Sequence, residues 1–422
     1  MDFNTFLFRF GLEPSNFKNK EVSVIETKDG FIYELEEQPQ FISCKECGSV
    51  HVTIHDYNWV EIKSSQSNDM KEILRIKRVR YKCCDCKKSF TLSLKGINRY
   101  SKITQITKNH IYNDFQSLLT FTDIGKKYGL STARIIQLFD EMVPIIPRLR
   151  MPEVLCIDEL HFEGDTDGKY IVVLSNYFTG EVVDVVQNRQ MPYLREYFNN
   201  ISISERINTK VFISDMYDGY STICRQFFPK AIHIVDIFHV ITQLTNVVNK
   251  LRIRTMNQFI SEKTKEKNFM KQHWKLFLCK DNKIPNKMYH YIKDDQYYSY
   301  HELLISCLKL NMKLWDSYTI LQELFKYSYY NTYEESIKFT ERIIHKLEMS
   351  CDDLLDSVAR TYKKWKIEIA NGFASNQHGK RFTNAIAENN NTHIRRILKS
   401  AYGFHNFERT RKKILLNRTY KK

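Results

Sequence analysis

No apolar run in the 422 residues is long enough to cross a bilayer, so a helical membrane span is excluded. The opening stretch, MDFNTFLFRFGLEPSNFKNK, has a short apolar patch but no basic lead-in and no small-residue cleavage site. A secretory leader is therefore not expected, and a cytoplasmic setting is. Glycine (13) and proline (8) are scarce, as is alanine, while Lys, Asn, Ile and Tyr abound. That bias suits an AT-rich genome and says little about function. Carboxylates are also in short supply: 49 Asp and Glu against 64 Lys and Arg leave a net charge of +15. The excess favours a polyanionic partner, nucleic acid first. What is present, 42% hydrophobic and 13% aromatic residues, is ample for packed cores, and the length predicts more than one domain.

Five of the ten cysteines fall between Cys44 and Cys86. Without a leader, paired cysteines point to metal more than to disulfides. Cys44-Lys-Glu-Cys47 and Cys83-Cys84-Asp-Cys86 form two knuckles, and four thiolates can surround a structural Zn²⁺ tetrahedrally. Cys44, Cys47, Cys83 and Cys86 are the expected ligands, with Cys84 a spare or an alternative; five unrelated thiols is the bland reading. Basic flanks (Lys71, Arg75, Lys77, Arg78, Arg80, Lys82, Lys87, Lys88) suggest that this module touches DNA. Upstream, Asp29-Gly30 between alternating runs reads as a hairpin.

Residues 101–143 look helical. Phe121 to Leu138 has a helix-turn-helix pattern, with Gly129 at the turn and Ser131 capping the second helix. Thr132, Arg134 and Gln137 then face outward, where a recognition helix meets the major groove. A plain helical hairpin is the alternative. Pro144, Pro147 and Pro152 mark a linker.

From Val154 the pattern changes to short Val/Ile-rich runs: strands at 154–159, 170–175, 181–187, 210–214 and 231–236, with helices after the third and fourth. Asp158 lies near the end of the first strand, Asp215 at the end of the fourth and Asp236 at the end of the fifth, followed by Phe238 and His239. A carboxylate in an apolar strand needs a reason, because burying an unpaired charge is costly. Asp158 is either an ordinary surface acid or a ligand for a hard divalent cation. The stretch from about 240 to 380 turns helical, Lys-rich and aromatic. Beyond it, Ala387, Ile394, Leu398 and Ala401 recur at helical spacing, while Glu388, Thr392, Arg395 and Lys399 fall on an adjacent face. That face suits a metal ligand followed by phosphate contacts, or else is a solvated face with a stray glutamate. The basic tail is a further helix face or a DNA arm.

An Asp on strand one, an Asp on strand four and a Glu in a late helix make the ribonuclease-H-like layout, in which Asp158 and Asp215 converge and the last helix brings in Glu388. Three carboxylates can hold two Mg²⁺ (or Mn²⁺) ions ~3.5–4 Å apart. At this point the chain resembles the DDE transposases of bacterial insertion sequences, in particular the ISL-three group, through C-x-x-C…RYKCCDCKKSF, CIDELHF, VFISDMYDGY, HIVDIFHV and AIAENNNTHIRRI…AYGFHNFERTRKKILL. Cys84 and the run Asn389 to Asn391 depart from the usual pattern. The resemblance implies Asp158, Asp215 and Glu388 as the catalytic triad, with Asp236 and His239 in support. It also implies double-stranded DNA (element ends and target) as partner, a homodimer or higher assembly, and a bacterial cytoplasmic protein that joins the nucleoid when bound to DNA. The expected organisation is an N-terminal hairpin segment (1–40), a zinc-binding domain (41–95) and a helix-turn-helix domain (100–148). A ribonuclease-H-like α/β core follows (152–240), then a helical insertion (241–380), and the last core helix with the basic tail (381–422). The competing class is a non-catalytic zinc and helix-turn-helix regulator descended from a transposase.

Overall fold

A computed structural model of the chain describes residues 2–64, 70–97, 101–258, 264–293, 295–375, 380–400 and 406–417. The chain packs as two compact units, one running to Pro147 and including Ile394–Asn417, the other Arg148–His393.

In the first unit, helix α1 (Phe3–Arg9) precedes strands β1 (Ser23–Thr27), β2 (Gly30–Glu36), β3 (Val52–Lys63), β4 (Lys71–Cys83) and β5 (Ser89–Thr91). β1 and β2 form the hairpin expected at Asp29-Gly30. It does not stand alone: β2 pairs in parallel with β4, giving one sheet in the order β1-β2-β4-β3 with β5 on β4. The sheet thus runs through the two segments that the sequence reading divides at residue 40. One face is dry, with Leu35, Ile62, Leu74 and Ile76 packed under Phe6, Leu7 and Phe10 of α1. The basic residues of β4 meet acids across the strands. Arg75 pairs with Glu34 (3.2 Å) and Glu61 (3.1 Å), Lys77 with Glu36 (3.3 Å) and Arg80 with Asp56 (3.5 Å). Arg78 pairs with the buried Glu37 (2.8 Å). Four cations of the basic flank, Arg75, Lys77, Arg78 and Arg80, are thus paired with acids within the sheet.

Three helices follow, α2 (Gln105–Phe115), α3 (Phe121–Tyr128) and α4 (Thr132–Met142). Thr120 and Asp123 form a reciprocal capping box at the start of α3. Gly129 ends α3 in the left-handed conformation (φ 61°) that glycine adopts without strain, and Ser131 caps α4. Phe115 meets Phe121 and Phe139 edge-on in the core between them, at 5.9 and 5.1 Å, and Phe121 and Phe139 meet at a tilt, at 5.2 Å.

The second unit contains a five-stranded sheet of β6 (Val154–His161), β7 (Tyr170–Asn176), β8 (Val182–Val186), β9 (Val211–Ser214) and β10 (Ile232–Val235), with α5 (Met191–Asn199), α6 (Ile203–Arg206) and α7 (Asp218–Phe227) in the connections. The order is β10-β9-β6-β7-β8; β6, β7 and β8 are antiparallel, and β9 and β10 run parallel to β6. Alternation sorts the side chains. Leu155, Ile157 and Phe212 pack against α5 and α7. Val154, Cys156, Val211, Ile213 and Ile234 pack on the opposite face with Ala387 of α15 (Ala385–Ser400).

Between β10 and α15 lies the insertion: α8 (Ile237–Gln258), α9 (Thr264–Gln272), a hairpin of β11 (Met288–Tyr291) and β12 (Gln296–Ser299), then α10 (Tyr300–Leu308), α11 (Met312–Leu324), α12 (Tyr333–Met349), α13 (Asp353–Lys364) and α14 (Lys366–Phe373). These helices share one continuous apolar core. The sequence reading missed the hairpin, because its tyrosines sit among Lys-rich helical segments.

The last helix, α16 (Phe407–Leu416), belongs to the first unit. The basic tail is a helix face within the described residues: Arg409 pairs with Asp140 (2.8 Å), and Lys412 donates to the Val143 carbonyl (3.1 Å). Lys413 is buried and donates to the carbonyls of Phe115 (2.6 Å) and Ser117 (2.8 Å) where α2 ends. Arg418, Lys421, Lys422 and Ala401 lie outside the described residues.

Candidate active site and metal centre

Strand register accounts for the first cluster. β6 and β9 pair as Leu155 with Phe212 and Cys156 with Ile213, so two more residues bring Asp158 level with Asp215. β9 and β10 pair as Ser214 with Val235, so the next residues are Asp215 and Asp236. Asp158, within β6, and Asp215 and Asp236, just past β9 and β10, thus stand at one level on three neighbouring parallel strands. By alternation all three lie on the face that packs against Ala387.

Burial pushes the Asp158 carboxyl above its usual range, and the nearby Glu159 and Asp236 carboxylates add to this; the Glu159 N–H (2.8 Å) and His239 oppose it. Asp215 is pushed up to about 6, by burial first and then by the charges of Glu159 and Asp158. Its Oδ1 is buried with no hydrogen-bond partner among the described residues. An orphaned carboxylate oxygen beside a second half-buried carboxylate fits a hard cation. Asp236 is buried and serves the scaffold: its Oδ1 accepts from the N–H groups of Phe238 (3.4 Å), at the start of α8, and Asn384 (3.3 Å), just before α15. His239 lies on the first turn of α8, where its charge acts on both Asp158 and Asp215.

Helix α15 is held at several points. Asn390, buried, donates to Ser175 Oγ (2.8 Å) and the Gly180 carbonyl (3.1 Å). Asn391, buried, donates from Nδ2 to Asp158 Oδ2 (2.8 Å) and to the Glu159 carbonyl (3.3 Å). Glu388 lies one turn before Asn391 and one turn after Asn384, on the stripe whose two ends touch Asp158 and Asp236. Its side chain is exposed, as are those of Thr392, Arg395 and Lys399. Asp158 and Asp215 are brought together; Glu388 is placed on the facing helix but not in a tight three-carboxylate cluster. Among the described residues the four cysteines are the one group of three or more His, Cys, Asp or Glu side chains whose ligand atoms all lie within 4.8 Å.

Two further residues border the acids. Arg189 Nη1 donates to both Glu159 oxygens (2.6 and 2.7 Å), and its guanidinium lies over the rings of Tyr170 (4.4 Å) and Tyr217 (5.2 Å). Neither Arg189 nor Asn391 is expected at the site from the sequence, where Asn391 is noted only within the run Asn389 to Asn391. The available signal for Asn391 was its position three residues after Glu388, on the same side of the helix.

The cysteine cluster forms at the base of the β3–β4 hairpin, which fills the long gap between the knuckles. Cys44 Sγ is 3.6 Å from Cys86 Sγ, and Cys47 Sγ is 3.7 Å from Cys83 Sγ. A tetrahedron of Zn–S bonds of about 2.3 Å has S···S edges of about 3.8 Å, so the four sulfurs suit zinc. Backbone N–H groups of each knuckle stabilise thiolates: that of Cys86 foremost lowers Cys83 to about 7, and that of Cys47 foremost lowers Cys44. Cys84 is exposed and outside the cluster. The knuckles turn alike, through Gly48 (φ 74°) and Lys87 (φ 63°).

On α4, Gln137 is exposed, Arg134 is half-buried and paired with Glu141 (3.1 Å), and Thr132 donates to Thr122 Oγ1 (3.4 Å). No helix among the described residues is long and apolar enough to cross a membrane.

Comparison with known proteins bears on the same segments. The chain is similar to the transposase for insertion sequence element IS1001 of Bordetella parapertussis, 20% identical over 251 residues, 57% of this chain and 59% of that protein. It therefore spans about three fifths of that relative's length. Residues 155–414, from the strand bearing Asp158 to the helix that closes on α2, match the family model of the ISL3 transposases, described simply as a transposase. With more than half its length in that match, the chain belongs to the ISL3 family of DDE transposases.

Proposed function

We propose that the protein is an insertion-sequence transposase that binds the ends of its element, cuts there, and joins the freed 3′ ends to target DNA. The observation that carries this reading is the row of strand-end aspartates on the α15 side of the sheet, with the Asp215 Oδ1 orphaned in it. The strand order β10-β9-β6-β7-β8, with only β7 and β8 breaking into antiparallel pairing, supports a ribonuclease-H-like core.

Asp158 and Asp215 hold Mg²⁺ or Mn²⁺, with Glu388 completing the set from α15. Bound there, the ions supply Lewis-acid chemistry: a more acidic water or 3′-hydroxyl and a stabilised leaving oxygen. Asn391 fixes the Asp158 carboxylate through Oδ2, and Asp236 anchors both helices that border the site. Arg189 compensates the charge of Glu159, leaving the two aspartates as the net anionic ligands. In the first step water adds to the phosphodiester phosphorus and the 3′ oxygen leaves as a hydroxyl. In the second that hydroxyl forms a new P–O bond to target DNA as a target 3′ oxygen leaves, so one ester replaces another and no outside energy source is required. Zinc on the four cysteines has a closed ligand set and a structural role. We read α3 and α4 as the helix-turn-helix, with Gln137 its exposed reading residue.

The test is cleavage of a duplex carrying the element's terminal repeat, with Mg²⁺, by wild type and Asp158→Asn. Wild type nicks at the repeat; the variant binds the duplex as well but cleaves on the order of 10³-fold more slowly, the loss expected for several kcal/mol of metal-borne stabilisation. Binding without metal-dependent nicking by wild type would leave a DNA-binding regulator instead.

A further inference from the structure

His233 on β10 is buried, and a buried imidazole costs desolvation unless it is hydrogen-bonded. Burial pushes it down to about 4, so the ring is neutral near pH 7 and carries one N–H. The ring meets those of Phe212 on β9 (5.4 Å) and Trp365 of the insertion (5.9 Å), each near a right angle. Its Nε2 stands 2.8 Å from the hydroxyl of Ser214, a fully buried residue at the end of β9. That hydroxyl has one proton and donates it to the Asp215 carbonyl (2.8 Å). The imidazole is therefore the donor at Nε2. The groups form one directed chain, from ring N–H through hydroxyl to carbonyl.

The chain acts where the sheet stops acting. The ladder between β9 and β10 ends at the pair Ser214 and Val235, so Asp215 lies one residue beyond it. Asp236 N–H donates to the Ser214 carbonyl (2.9 Å), which holds the peptide plane before the Asp215 Cα. The Ser214 hydroxyl holds the plane after it. A residue has two soft backbone dihedrals, and two held planes fix both. The direction in which the Asp215 carboxylate leaves the backbone is then fixed too. The insertion secures the far end of the chain. Asn371 of α14 donates from Nδ2 to the His233 carbonyl (2.9 Å). Beside it, Gly372 lies so close to β10 that a Cβ there would stand 2.6 Å from the Val235 carbonyl.

We propose that His233 is a positioning residue for the Asp215 carboxylate, acting through Ser214, and that the helical insertion serves the active site by holding His233 in place. The inference rests on the reading of Asp158 and Asp215 as metal ligands and goes beyond it, because it gives the insertion a task at that site. An apolar side chain of similar size would pack against Phe212 and Trp365 as well as the imidazole does. Only a donor there orients the Ser214 hydroxyl toward Asp215.

The experiment uses the full chain. Mn²⁺ binding is followed by electron paramagnetic resonance, and melting is recorded without divalent metal. The signal counted is the bound Mn²⁺ that Asp215→Asn removes. Ser214→Ala and His233→Leu should each bind it at least about tenfold more weakly, within the 10–100-fold loss typical of a missing outer partner. His233→Gln, which keeps an N–H to offer Ser214, should recover most of the affinity. Asn371→Ala should weaken binding by a smaller factor, and unchanged affinity in that folded variant removes the insertion from the arrangement. Lower melting temperatures with unchanged Mn²⁺ affinity in Ser214→Ala and His233→Leu would mean core packing alone and overturn the proposal. A glutamine variant as weak as the leucine one also overturns it. If His233→Leu does not fold, Ser214→Ala, which removes a single oxygen, decides. A wild type without Asp215-dependent Mn²⁺ binding sinks the metal reading and this inference with it. Wild-type binding that persists undiminished in the folded variants sinks this inference alone.

Discussion

The molecule has two clusters of side chains of metal-ligating type, and they are built in opposite ways. The thiolate cluster is closed: four sulfurs already stand at tetrahedral spacing, supplied by two short knuckles on one hairpin. The carboxylate site is open: two half-buried aspartates share strand ends, one oxygen has no partner, and the third acid stands exposed on a helix. A site that only has to hold a fold is complete before anything arrives. One that exchanges water, hydroxyl and phosphate keeps ligand positions free for them.

That contrast can be broken in four ways. The largest effect is expected at the thiolates. Structural zinc in small domains contributes roughly 10–16 kcal/mol of apparent binding energy, so Cys83→Ser should empty the site and abolish the melting transition of the first unit. Zinc analysis should fall from about one ion per chain toward zero. A variant that keeps its zinc would show that Cys84 replaces the lost ligand.

Next is the pH response of the open site. Asp215 has a folded pKa raised to about 6, above the ordinary 3.8, so the folded protein binds the proton more tightly than the unfolded chain. Without divalent metal, stability should therefore rise as pH falls from about 6 to about 4, by up to about 3 kcal/mol from this group. Mn²⁺ affinity should fall over the same window. Chemical denaturation at pH 7 and pH 5, for wild type and Asp215→Asn, checks the sign; equal pH dependence in the two would remove Asp215 as the source.

A third test concerns the orienting amide. Asn391→Ala frees Asp158 Oδ2, and losing such an outer partner typically costs about 10–100-fold in metal affinity. Mn²⁺ titration followed by electron paramagnetic resonance reads this without any turnover. Asn391→Asp should be worse than Ala, because it sets a like charge against Asp158. The smallest effect belongs to the closed site. Lys87 holds the positive φ that Gly48 holds in the sister knuckle, so Lys87→Gly should raise stability by about 0.5–1 kcal/mol with zinc content unchanged.

The closed site was legible because its information is local: Cys-x-x-Cys carries its own geometry. Asp158 and Asp215 were legible once the strands were, since apolar runs marked where each strand ends, and the predicted strands agree with the observed ones to within two residues. Asn391 was not, because an asparagine in a helix reads as solvated until the strand beneath it is known. The pairing of the β4 cations was hidden for the same reason. Their acidic partners lie 14 to 41 residues away along the chain, at Glu61, Glu34, Glu36 and Glu37, and only the strand register brings them together.

The end of α2 has its own consequence for synthesis. Its carbonyls at Phe115 and Ser117 wait for Lys413, nearly three hundred residues later in translation. A ribosome finishes α2, α3 and α4 early but releases the side chain that closes α2 almost last. Nascent chains, and products of premature termination, therefore carry an unsealed helical unit.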